Sequence, residues 1–200
     1  MTGPFDNIKA SLQISTDEQK TWTQWDGSVV TINKDGKLYV KALNPNTDGL
    51  FYEAYGSGHR FVINGGKVAA SGNIQYLIDP TGERMDVPGY CYYGMFSGCT
   101  SLTQAPVLPA TTLAGYCYSD MFEGCTSLTT APELPATTLT DHCYYNMFNG
   151  CTSLTQAPVL PATTLAGYCY SDMFKGCKSL TSAPELPATT LASGCYFYMF

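Results

Sequence analysis

The residues with most chemistry to offer are nine cysteines, and their placement follows a rule. Cys91, Cys117, Cys143, Cys169 and Cys195 recur with a 26-residue period, and so do Cys99, Cys125, Cys151 and Cys177. Thiols can pair as disulfides, hold zinc, or pack as small apolar groups. An even disulfide framework would suit an exported domain, but nine is odd. Equivalent cysteines in stacked repeats would sit about 5 Å apart with parallel Cβ vectors, whereas a good bridge needs those vectors to converge. Zinc fits no better. No C-x₂₋₄-C pair occurs, and only His59 and His142 could add ligands. The expected state is two ladders of reduced thiols, buried, unbridged and metal-free.

Catalytic chemistry has little else to use. There is no phosphate loop, no G-x-S-x-G and no H-E-x-x-H. His142 stands where other repeats carry Tyr90, Tyr116, Tyr168 or Gly194, and Asp120 and Asp172 also occupy varying positions. A triad histidine would not sit at a variable surface site, so no enzyme activity and no cofactor are expected. Residues 15–22 approach S-x-D-x-G-x-T-W, with Gln19 in place of the glycine, and read as a hairpin turn. Residues 44–49 match the start of a calcium loop, but the twelfth position is Tyr55 rather than an acid, so an Asx-type turn is expected.

The elements that must position the cysteines repeat with them. Four units run 91–116, 117–142, 143–168 and 169–194, and a partial fifth covers 195–200. Each reads CYxxMFxGCxSLTxAPxLPATTLxxx. Units one and three are nearly identical, as are two and four, so a 52-residue pair has been duplicated. Cys91, Met95, Phe96 and Cys99 fall at i, i+4, i+5 and i+8, the spacing of one helical face. Gly98 then ends the helix. Residues 102–108 read as a short extended segment, made irregular by Pro106, which cannot donate to a ladder. One short helix and one short strand in each repeat predict a mixed α/β repeat solenoid of the leucine-rich type.

The segments MFEGCTSLTTAPELPATTL (121–139) and MFNGCTSLTQAPVLPATTL (147–165) resemble BspA-like leucine-rich repeats. WDGSVVTINKDGKLYV and ASGNIQYLID resemble the stretch that precedes such arrays. The resemblance implies a right-handed solenoid of short strands and helices, a surface-exposed adhesion or ligand-binding role, and no catalytic residues. This chain departs from that family's shorter repeat by carrying Ala-Pro in the strand segment.

The stretch before the repeats has a different character. Eight of the ten Lys and Arg and ten of the sixteen Asp and Glu precede residue 89. Val29–Ile32 and Leu38–Val40 flank Asn33–Gly36 as a hairpin signal, and Phe61–Ile63 and Val68–Ala70 flank Asn64–Gly66 as a second. Ile8–Ile14 and Trp22–Trp25 flank a polar turn. A small all-β domain of about six strands is expected over 1–80, with 81–90 as linker and cap before the array at 91–200.

Ten Lys and Arg in the whole chain, at a net charge of −6, cannot form a nucleic-acid stripe or grip an anionic membrane. No apolar run approaches the length of a membrane-spanning helix, and residues 1–20 lack the apolar core of a signal peptide. The expected function is a non-enzymatic binding or adhesion module that recognises a protein or glycan through one face of the array. The expected contact rows are Gln104, Thr130, Gln156 and Ser182, with Val107, Glu133, Val159 and Glu185. Tyr92, Tyr118, Tyr144, Tyr170 and Tyr196 form a second expected ladder, either sealing the core or offering stacked aromatics. The alternatives are a structural spacer and a phage virion or tail receptor-binding component. The expected setting is extracellular or cell-surface, with a phage virion as alternative. The apolar run 195–200 breaks off inside a fifth unit, which suggests truncation and self-association through the open end.

Overall fold

The structure is a computed structural model that describes residues 12–26, 28–31, 36–42, 60–63 and 65–200. Residues 32–35 of the first expected hairpin, Asn64 of the second, the 44–49 segment and His59 lie outside the described residues.

The repeats lie one above the next, but they do not build the expected mixed α/β leucine-rich solenoid. Among the described residues the helical element is one 3₁₀ turn, Ile74–Leu77, and the sheets are small, none of them winding into a solenoid. The reason is where the backbone N–H groups go. An α-helix sends each to the carbonyl four residues back. Here Tyr93, Met95, Ser97 and Cys99 donate three residues back, to Tyr90, Tyr92, Gly94 and Phe96. The residues between them donate out of the unit. Tyr90, Tyr92, Gly94, Phe96 and Gly98 reach the carbonyls of Gly115, Cys117, Ser119, Met121 and Glu123, one level further along the stack, at 2.7–3.0 Å. Half the donors of a would-be helix are therefore spent on stacking.

That alternation needs a left-handed residue every fourth position. Tyr90, Gly94 and Gly98 have φ of 57°, 59° and 74°, and the pattern returns at Tyr116, Asp120 and Gly124 and again at His142, Asn146 and Gly150. Asp, Asn, His and Gly tolerate this region best. Gly98, Gly124, Gly150 and Gly176 thus belong to a column of left-handed residues rather than to helix ends. A Cβ on Gly150 would meet the Cα of Gly124 at 3.7 Å.

Among the described residues, extended segments pair regularly only beside the first repeat and before it. β1 (Leu12–Ser15) lies between β2 (Thr23–Gln24) and β3 (Tyr39–Ala42) in an antiparallel sheet. β4 (Val68–Ala69) pairs in parallel with β6 (Leu102–Gln104), and β5 (Asp86–Val87) with β7 (Thr112–Leu113). Later repeats keep single bridges, Thr112 to Thr138 and Thr164 to Thr190. The prolines at positions such as Pro106 and Pro109 leave no continuous run of donors for a ladder.

Among the described residues, the segments expected to pair in hairpins at 29–40 and 61–70 do not pair with each other. Residues 29–31 are not in a strand, and β3 pairs with β1 instead. Phe61 donates to the Met95 carbonyl at 2.8 Å and β4 lies along β6, so this stretch covers the first repeat. The hairpin from β1 to β2 does form, around a turn in which Ser15 and Thr21 donate to the Asp17 carboxylate at 2.7 and 2.6 Å. Those bonds, with the Ser15 contribution largest, hold the Asp17 carboxyl far below its usual range.

One apolar core runs from Leu12 through Ile78 and Val87 to Met199. Phe96, Phe122, Phe148, Phe174 and Phe200 stack face to face at 5.6–5.9 Å. Phe61 caps that row at 5.6 Å from Phe96. Tyr92, Tyr118, Tyr144, Tyr170 and Tyr196 stack at 5.6–6.0 Å. The first four tyrosines are buried, so that ladder seals the core and offers no rings to a ligand.

All nine cysteines are free and buried. The second cysteine of each unit donates its thiol to a phenylalanine carbonyl one repeat back: Cys125 to Phe96, Cys151 to Phe122 and Cys177 to Phe148, at 3.1–3.2 Å. Cys99 makes the same bond to Phe61.

Candidate functional site

The eight expected contact residues are all exposed, in two rows that follow the repeat period. Their face is shallow. A depression of about 400 Å³ lies between Gln104 and Thr130, lined mainly by threonine, alanine and Pro132. No titratable side chain lines it, and Val107 and Val159 stand out from the face at 56% and 78% exposure.

A richer site lies on the turn face, at positions where the repeats differ. Tyr90, Tyr116, His142 and Tyr168 form a third aromatic ladder. Their rings are nearly parallel, with centroids 4.8, 4.5 and 5.1 Å apart. Gly194 ends the row because a Cβ there would overlap the Tyr168 ring. Beside it, Tyr93 and Tyr145 tilt against Tyr90 and His142 at 51° and 56°. The intervening residues of that second row are serines, so it reads Tyr93, Ser119, Tyr145, Ser171, Phe197. Each serine removes a ring from between two others. The result is a groove of about 410 Å³ with aromatic walls and with Ser119, Asp120, Ser171 and Asp172 in its lining.

The two carboxylates differ. Asp120 accepts from the Asn146 amide at 2.6 Å, and Asn146 in turn accepts from Asn149. Burial pushes the Asp120 carboxyl above its ordinary range, while hydrogen bonding from Asn146 and Tyr93 pulls the other way. Asp172 is buried and takes the Ser171 hydroxyl at 2.9 Å and the Lys175 ammonium at 2.8 Å. That bond raises the Lys175 ammonium above its usual value. His142 Nδ1, in the same groove, is buried with no hydrogen-bond partner.

Sequence reasoning set Asp120, His142 and Asp172 aside because their positions vary. The structure brings all three into one groove. The signal was the Tyr/Ser alternation at 93, 119, 145 and 171, which follows the 52-residue duplication rather than the 26-residue period.

The raised Asp120 carboxyl has a consequence for stability. An acid that holds its proton more tightly in the fold contributes stability at low pH that is lost as pH rises through the carboxyl range. Asp120→Asn should therefore be more stable than the parent at pH 7, since asparagine keeps an acceptor for Asn146 and tolerates a φ of 56°. The difference should shrink as pH falls toward 4. Urea melts at both pH values check this, and a less stable variant at pH 7 would contradict it.

Among the described residues no group of His, Cys, Asp and Glu could hold a metal ion, and no helix is long and apolar enough to cross a membrane. Comparison of the chain with protein-family models, curated proteins and solved structures finds no match. The resemblance to BspA-like repeats rests on the repeat motif alone.

Proposed function

We propose that this chain is a non-catalytic binding module that recognises a protein or glycan through the aromatic groove of its repeat stack, at a cell surface or on a virion. The observation that carries the reading is the alternation of rings and serines from Tyr93 to Phe197. It opens spaces between aromatic walls over polar groups, the composition of a recognition site. The exposed rows at 104–185 flank the stack as a surface of polar residues interrupted by Val107 and Val159. Thiols that are buried and whose ionisation is suppressed resist oxidation, so nine free cysteines are compatible with an oxidising setting.

A glycan and protein array probed with the 200-residue chain tests this. Tyr145, half-buried and shared by both spaces, should carry the interaction. Tyr145→Ala should lower affinity about tenfold or more, as for an aromatic anchor, with the fold intact by circular dichroism. Hits that survive this substitution would point to another face.

The uninterrupted core and near-identical repeats favour a second reading, a rigid spacer. Deleting 117–168 preserves the register of every row. A spacer survives that deletion, and a groove binder loses Tyr145 with it.

A further inference from the structure

The groove contains the same carboxylate twice, and only one copy has a cation. Asp120 and Asp172 are equivalent in the duplicated pair, and each lies beside a serine that opens a gap between two rings. At Asp172 the ammonium of Lys175 fills the carboxylate at 2.8 Å and also lies 5.4 Å from the centre of the Tyr198 ring. The residue equivalent to Lys175 beside Asp120 is Glu123. Its carboxylate accepts from Ser97 at 3.0 Å and adds negative charge near Asp120.

Among the described residues no cation answers this charge. Residues 89–200 contain two, Lys175 and Lys178, and Arg60 from the preceding segment sits beside Gly98. Among the described residues no Lys or Arg is within ion-pair distance of Asp120. Its near partners are the neutral Asn146 amide and the Tyr93 hydroxyl, while the Ser119 hydroxyl beside it donates to the Tyr145 carbonyl at 3.3 Å. Tyr93 and Tyr145 stand on either side. Aromatic walls around a carboxylate attract an alkylammonium through the ring quadrupole and through a charge-assisted hydrogen bond.

We infer that the slot formed by Tyr93, Ser119, Asp120 and Tyr145 takes the protonated side chain of a lysine presented by a partner protein, as Asp172 takes Lys175 within the chain. This rests on the proposed binding role of the groove and names its ligand. A lysine is favoured because the filled copy shows that an ammonium on a flexible four-carbon stem can reach this carboxylate across the turn face.

Titration of the 200-residue chain with Nα-acetyl-lysine amide, followed by NMR of the tyrosine rings, tests the inference. The probe should shift Tyr93 and Tyr145 signals, and Nα,Nε-diacetyl-lysine amide, which lacks the charge, should not. Asp120→Asn should weaken the probe about tenfold or more, the loss expected for one charge-assisted contact. Glu123→Lys should abolish binding by supplying an internal ammonium, as Lys175 does at Asp172. Both variants keep the core, and unchanged amide spectra away from the groove establish that. Equal shifts from the charged and acetylated probes, binding by Glu123→Lys, or preference for a glucosamine oligomer over the lysine probe would each overturn the inference. If the lysine probe fails while array hits still depend on Tyr145, the ligand assignment falls and the binding role stands. If both fail, the binding role falls as well.

Discussion

Phe148→Ala should destabilise the chain by about 3–5 kcal/mol, the cost of truncating a large buried aromatic. Phe148 is fully buried and its ring is held on both faces, 5.7 Å from Phe122 at 6° and 5.8 Å from Phe174 at 2°. Truncation opens a void in two repeat interfaces at once. The backbone cannot close over it easily. Phe148 N–H donates to the Met173 carbonyl at 3.0 Å, and its carbonyl takes the Cys177 thiol at 3.1 Å. Those bonds pin the unit at its present height. Against a typical total of about 5–15 kcal/mol, the variant would be marginal. Tyr118→Phe in the neighbouring ladder is the control. The Tyr118 hydroxyl is buried without a partner, so its removal should be neutral or stabilising. Guanidinium melts of both variants decide the matter. A loss below about 1 kcal/mol for Phe148→Ala would mean that the column repacks, against the behaviour of close-packed interiors.

The contrast between these two ladders shows what was legible in the chain. Invariance across four internal copies picked out Cys91, Met95, Phe96, Cys99, Leu102, Ala105, Leu108 and Leu113 as core; all are buried except Ala105, which is half-buried against that core. It did so because a stacked repeat must present the same side chain at each level. Secondary structure was less legible, and the spacing misled. Positions i, i+4, i+5 and i+8 point inward on a helix, and they also point inward here. The choice between the two rests on whether alternate N–H groups bond within the unit or to the next one, a non-local matter that periodicity does not report. A local clue was available. Gly94, Asp120, Asn146 and Asp172 stand four residues before an invariant glycine, and all are types suited to positive φ. β3 and β4, each expected in a local hairpin, join β1 and β6 instead for a related reason, since turn residues report that a chain can reverse and not which edge it will join. The candidate site was hidden by treating variation as surface noise. Variation with a 52-residue period is the pattern of two equivalent gaps, and Tyr93, Ser119, Tyr145 and Ser171 trace it.

The interior thiols should react with a disulfide reagent at least about a thousandfold more slowly in the native chain than in denaturant, the factor for an opening free energy of about 4 kcal/mol. Two effects combine. Cys117 and Cys143 are fully buried, so a reagent reaches them only through opening of the stack. Burial also disfavours the thiolate, the reactive form. It pushes the Cys125 and Cys169 thiols up to about 12 and the Cys177 thiol to about 11. The same shifts set a pH dependence. The folded chain holds these protons more tightly than the unfolded one, so the stability they contribute is present below the unfolded thiol value of about 8.5 and is lost as pH rises above it. Alkaline solution should therefore lower the unfolding midpoint and speed labelling together, and labelling in denaturant should reach all nine thiols of the chain. The order of reaction is informative as well. Cys177 and Cys195, at 9% and 5% exposure, should label before the fully buried Cys117 and Cys143, because a reagent reaches them with less opening. Mass spectrometry after timed quenching reads that order directly. Uniform labelling of all nine at a rate close to that of free cysteine would show that the stack opens as readily in its middle as at its end. The unbroken rows of phenylalanine and tyrosine argue against such an outcome, since opening at Cys143 must separate Phe122 from Phe148 and Tyr118 from Tyr144 together.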